Sequence, residues 1–291
     1  MFVKSSNFNA KALARFRDLQ RTSFAILEDT AASLSGGESE IDVAHELVKK
    51  YRAAGAGSFF HLPVALFGER TALPGNWPLR KFFPRAKKLL SGDSVILDAA
   101  PIFDGFLVDT SYSFCFGEDE VHRRMMEHLS QYRASVPAAI NRGDTFKQIA
   151  QQVEREMLAA GYEPVHQKHP GNVLGHRAVK TPKLPFQMRL KGFDAMSLSW
   201  FKIKDQLATT GVGNSSPLWN TSKSSDHKAH DGLWLVEPHA GFKNVGAKWE
   251  EILVIECGTA QWLDDKPPHV CQWAHIAEGA NYLPCASAHA I

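Results

Sequence analysis

Two runs rich in β-branched and aromatic residues, Val95 to Ala99 and Phe106 to Phe114, flank Asp104-Gly105. Asp-Gly between apolar runs is the strongest short-range hairpin signal, because both central residues of a tight two-residue turn need positive φ. With these two at the tip, Phe103 faces Phe106, Ala100 faces Asp109 and Asp98 faces Ser111. Opposed residues share a face of the ribbon, as do residues two apart, so Asp98 and Asp109 are diagonal neighbours on one face. Surrounded by Val95, Ile96, Leu97, Leu107 and Val108, each carboxylate meets a heavy desolvation cost if left alone. A single aspartate in a strand commonly ends a sheet or pairs with Lys or Arg. Two on one apolar face call for a bound cation. The register assumes a two-residue turn, and a bulge would undo it.

The rest of the composition narrows the setting. At 291 residues the chain is long enough for one large domain or two ordinary ones, and 44% hydrophobic residues supply a sizeable core. A net charge of +2 leaves no electrostatic footprint for nucleic acid. Cys115, Cys257, Cys271 and Cys285 are scattered, so neither zinc-type spacing nor a disulfide framework can be inferred. The N-terminus lacks an apolar run and no stretch is long enough to span a bilayer. The expectation is a cytoplasmic protein with no membrane or nucleic-acid partner.

Along the chain, residues 8 to 34 alternate at helical spacing and Ser39 caps a second helix ending at Gly55 and Gly57. Phe59 to Phe67 reads as one strand in which His61 is an ordinary residue, and His45 sits on a helix surface. Glu118 to Ile140 reads as one helix with Met125 and Met126 as core filler, and Phe146 to Ala160 as another. Leu233 to Glu237 and Glu250 to Cys257 read as strands, the second buried on both faces. Residues 183–230 are the least regular and read as a surface excursion or lid, and the tail 263–291 is unreadable.

The order Asp98, Asp109, His169, Glu237, Glu250 resembles that of the M24 metallopeptidase family, the pita-bread proteins that include methionine aminopeptidase, prolidase and creatinase. The resemblance runs from the second helix to about Trp262. Gly92-Asp93-Ser-Val-Ile-Leu-Asp98 matches the family's first ligand strand, and Asp104-Gly105-Phe106-Leu-Val-Asp109-Thr110 its second. Leu233-Trp-Leu-Val-Glu237-Pro238 matches the glutamate before proline. Gly246-Ala-Lys248-Trp-Glu250-Glu251 matches a motif like Gly-Val-Arg-x-Glu-Asp, with Glu250 rather than Glu251 at the ligand position. The family's paired histidines are matched by His169 and, seven residues on, His176. That puts His169 on the metal and His176 beside the substrate, with His176 as ligand the alternative. The substrate-facing histidine expected near Gly-x-x-Thr-Ala is absent from Gly68-Glu-Arg-Thr71-Ala72-Leu-Pro, and His239 is the candidate to reach the pocket instead.

The resemblance implies an α+β pita-bread fold, a curved, mostly antiparallel sheet flanked by helices, with residues 1–291 as a single catalytic domain. It implies two divalent ions (Mn, Fe, Co or Zn) bridged by Asp109 and Glu250, with Asp98 completing one shell and His169 with Glu237 the other. Glu237 would be the general base and His176 the donor to the tetrahedral oxygen. The implied activity is hydrolysis of a peptide or small amide near a terminus, Xaa-Pro peptidase or aminopeptidase-like, by a homodimer if dimeric relatives are a guide. The rivals are a creatinase-like C–N hydrolase, a lyase, and a binding module that kept the fold without the chemistry. Loss of ligands would mark the last, whereas all five positions are filled.

Overall fold

Helix α1 (Ala10–Ala32) starts where the Asn9 side chain accepts from the Ala12 amide, and α2 (Glu40–Ala53) starts at a Ser39–Asp42 capping box. The computed structural model describes residues 3–182, 193–212 and 215–277, together with the main chain of 189–190. Parts of the 183–230 segment and the tail beyond 277, including Cys285, therefore lie outside the described residues.

The buried faces of α1 and α2, including Phe16, Phe24, Leu27, Leu47 and Tyr51, pack on an antiparallel sheet. Its strands are Val64–Phe67, Ser94–Ala99 and Thr110–Cys115. The hairpin follows the register read from its turn. Phe103 pairs with Phe106, Ala99 with Thr110 and Asp98 with Ser111. Asp104 and Gly105 hold φ of 52° and 87°, as a two-residue turn of this twist needs. A Cβ at Gly105 would collide with the Thr181 carbonyl.

A second, five-stranded antiparallel sheet runs in the order Leu218–Trp219, Gly175–Arg177, Gly232–Val236, Glu251–Glu256, Thr259–Trp262. Its central strands are buried on both faces. Leu233, Leu235, Ile252 and Val254 join the core under α1 and α2. Trp234, Val236, Leu253 and Ile255 join a second core under α3 (Glu120–Ser130), α4 (Tyr132–Arg142) and α5 (Phe146–Ala159). The expected single helix over 118–140 is thus two, meeting at Gln131. Inside α4, Pro137 cannot donate to the Arg133 carbonyl, and Trp262 Nε1 donates to that oxygen instead, at 2.7 Å.

Two elements depart further from the sequence reading. The expected strand over 59–67 breaks at 60–63, leaving Ser58–Phe59 and Val64–Phe67. The segment expected to be irregular carries α6 (Ala195–Thr209), capped by Asp194 on the Ser197 amide. Its apolar residues do not form one stripe: Phe201 is buried while Ile203 is 60% exposed, so helical periodicity is weak. The tail adds α7 (Pro268–Ala277). No described helix is long and apolar enough to cross a membrane.

Candidate metal centre

An isolated bridge from Ser111 to Glu250 joins the two sheets, and it explains how carboxylates from distant parts of the sequence meet. Asp98 is opposite Ser111 and Ser111 opposite Glu250, so all three share a face, and Asp109 lies two residues along from Ser111. On the other sheet Val236 pairs with Glu251, which makes Glu237 and Glu250 the next opposed positions. His176 pairs with Leu235, two residues before Glu237, and therefore points the same way. The neighbouring Glu251 turns to the opposite face, to Arg133 at 2.8 Å and His269 at 2.9 Å.

Three of the four carboxylates converge on Lys248, whose role was not legible as more than a motif position. Its buried Nζ lies 2.6 Å from Asp98 Oδ2, 3.0 Å from Glu237 Oε2 and 2.9 Å from Glu250 Oε2. Burial opposes its charge, but those carboxylates hold its pKa well above the ordinary lysine value. The opposite oxygens of these residues face elsewhere. His176 Nε2 lies 3.6 Å from Asp109 Oδ2, 3.7 Å from Glu250 Oε1 and 4.0 Å from Glu237 Oε1. Asp98 Oδ1, Asp109 Oδ1 and Glu250 Oε1 are buried and make no hydrogen bond among the described residues. Orphaned anionic oxygens beside a ring nitrogen are costly in a protein interior and suit a divalent ion, whose ligands would be these groups.

The electrostatics follow the crowding. Burial pushes Asp109 up, but His61 and His176 beside it hold its pKa at about 2. Burial and Asp109 push Glu250 well above the usual carboxylate range, against the pull of Lys248. Burial is likewise overcome at Glu237, which Lys248 and His169 hold well below it.

His169 and His176 differ in what they can offer. His176 Nδ1 faces the Arg177 carbonyl at 3.2 Å; a carbonyl only accepts, so Nδ1 carries a proton and Nε2 is the nitrogen turned to the carboxylates. His169 is the middle of a chain. His239 Nε2 donates to the Thr71 carbonyl at 2.7 Å, so its Nδ1 accepts from His169 Nε2 at 2.9 Å. His169 Nδ1 then meets Glu237 Oε2 at 2.8 Å across a proton. Both ring nitrogens of His169 are engaged, and so are both of His239, which is 1% exposed.

This cluster forms the floor of a cavity of about 540 Å³. The walls are apolar, with Ile41 and Val48 from α2, Leu62, Phe82 and Val173 from loops, and Phe201 from α6. Phe201 packs edge-on to the His176 ring at 5.6 Å.

The sequence matches metallopeptidase family M24 over residues 14–196, and no curated protein matches it. Among solved structures it is similar to a dipeptidase from Pyrococcus horikoshii OT3 (TM-score 0.64, 17% identity, 91% of this chain and 62% of that one). It is also similar to an X-Pro aminopeptidase from Thermotoga maritima MSB8 (TM-score 0.63, 15% identity, 91% and 63%). A prolidase from Pyrococcus furiosus gives a TM-score of 0.64 at 15% identity, over 90% and 66% of the two chains. The chain spans less than two-thirds of the length of these proteins. With the family match over most of the chain and the likeness in fold to these structures, this chain belongs to metallopeptidase family M24 and has its pita-bread fold.

Proposed function

We propose that the protein is a metal-dependent hydrolase of an amide or peptide bond near a chain end, acting on a substrate with an apolar group. The observation that carries this reading is the set of buried oxygens of Asp98, Asp109 and Glu250 that lack hydrogen bonds at the floor of an apolar cavity. On this reading His176 serves as a ligand with Asp109 and Glu250, while His169, engaged at both nitrogens, positions Glu237. His239 holds His169 in turn. Two divalent ions would supply Lewis-acid polarisation and a water of lowered pKa.

The chain's own residues do the rest. Glu237 is fixed through Oε2 by Lys248 and His169, which leaves Oε1 to take a proton from the attacking water and pass it to the leaving amine. The walls seat the apolar part of the substrate. Among the described lining residues the only cation outside the floor and its histidines is the exposed Lys202, so a free dipeptide carboxylate finds little to pair with. An apolar N-terminal residue, as in an Xaa-Pro peptide with its far end extended or blocked, suits the cavity better.

Glu237→Gln keeps an oxygen donor but no base. Its turnover should fall by about 10²–10⁴-fold with metal content, read by elemental analysis, largely retained. Wild-type turnover in that variant would refute the assignment. A second reading, a pita-bread binding module, draws on Lys248, whose amine already neutralises part of the cluster. Metal analysis of the purified protein separates the two: bound transition metal favours the hydrolase, none the module.

A further inference from the structure

His61 lies in the 60–63 break between two strands. The Phe60 amide donates to the Ala100 carbonyl, and the Asp194 amide to the Phe60 carbonyl. Its ring is flanked by Phe60 and Phe193. Its Nδ1 faces the Leu62 carbonyl at 2.9 Å, so Nδ1 carries a proton and Nε2 is the nitrogen turned toward the carboxylates. That nitrogen is 3.5 Å from Asp98 Oδ1 and 3.5 Å from Asp109 Oδ2. His176 is built in the same way, its tautomer set by the carbonyl of the next residue, and it approaches the same Asp109 oxygen from 3.6 Å. Two imidazole Nε2 atoms thus approach one carboxylate oxygen, one from the 60–63 break and one from the strand Gly175–Arg177.

We propose that His61 is a metal ligand, forming one pocket with Asp98 and Asp109 while His176, Asp109 and Glu250 form the other; this rests on the metal-hydrolase reading above. The spacing fits, since donors ~2.1 Å from a tetrahedral ion stand about 3.4 Å apart. The need for an extra donor follows from Lys248. It takes Asp98 Oδ2 at 2.6 Å, so Asp98 has one oxygen left to give, and that oxygen makes no hydrogen bond. His61 supplies the missing donor. A nitrogen in each pocket moves the pair away from all-oxygen chemistry and toward Co²⁺ or Zn²⁺.

The test uses the full chain, stripped of metal and titrated with Co²⁺ by calorimetry and proton NMR. The wild-type protein should bind two equivalents and show paramagnetically shifted Nδ1–H signals from both pockets, one with an Overhauser contact to Leu62. His61→Gln should lose that signal and weaken one equivalent by about 100-fold or more, beyond the usual effect of an outer partner, while His176→Ala weakens the other. Unchanged binding in His61→Gln, or a wild-type spectrum with no shifted signal near Leu62, overturns the proposal. Wild-type protein that binds no Co²⁺ overturns the underlying metal reading as well. Should His61→Gln fail to fold, the wild-type spectrum alone decides.

Discussion

At the level of single residues, the geometry turns on which atoms of each side chain are already taken. Lys248 collects one oxygen from each of three carboxylates and leaves the other oxygens to the histidines. Lys248→Met would strand those three oxygens without a counter-ion. The metal-free variant should be less stable by ~3–5 kcal/mol, and added Mn²⁺ should raise its melting temperature more than it raises that of the wild type. Equal thermal shifts in a calorimeter would show that Lys248 has no such role. Asp98 and Asp109 were readable because strand alternation and one turn dictate where they point, whereas Glu237 and Glu250 were readable only through the resemblance to family M24. His61 was not, because its approach to the aspartates is purely tertiary. The difference between His169 and His176 was also hidden, since it rests on the Thr71 and Arg177 carbonyls that set their tautomers.

Among elements, the hairpin was the most legible: Asp104-Gly105 dictates its turn and the turn dictates the register. Helix α6 was the least, because its apolar residues surround the axis and only its packing on Phe60 and His176 selects a buried side. Helix α3 carries a different consequence. It buries His122, and burial lowers that imidazole's pKa from 6.5 to about 4 despite nearby Asp119. The unfolded chain therefore binds a proton below pH 6.5 that the folded chain refuses until about pH 4. The stability due to the neutral ring is present above the unfolded value and lost as pH falls through this window. Between pH 7 and pH 5 the loss should be ~2 kcal/mol. Urea unfolding at the two pH values should show a smaller difference in His122→Gln, and an unchanged difference would show that His122 is not the group responsible.

For the molecule as a whole, two sheets joined by the Ser111–Glu250 bridge bring a charged floor beneath hydrocarbon walls. Such a cavity treats the two sides of the proposed reaction unequally. An amide arrives uncharged at its reacting group and departs as a carboxylate and an ammonium ion, both of which forfeit hydration against surfaces such as Leu62, Phe82 and Phe201. The walls that welcome the intact molecule thus eject its fragments, and turnover clears its own path. Steady-state inhibition by the ionised fragments should accordingly need concentrations well above the KM of the parent amide. Fragments that bind as tightly as the parent would mean that greasy walls do not govern traffic through this chamber.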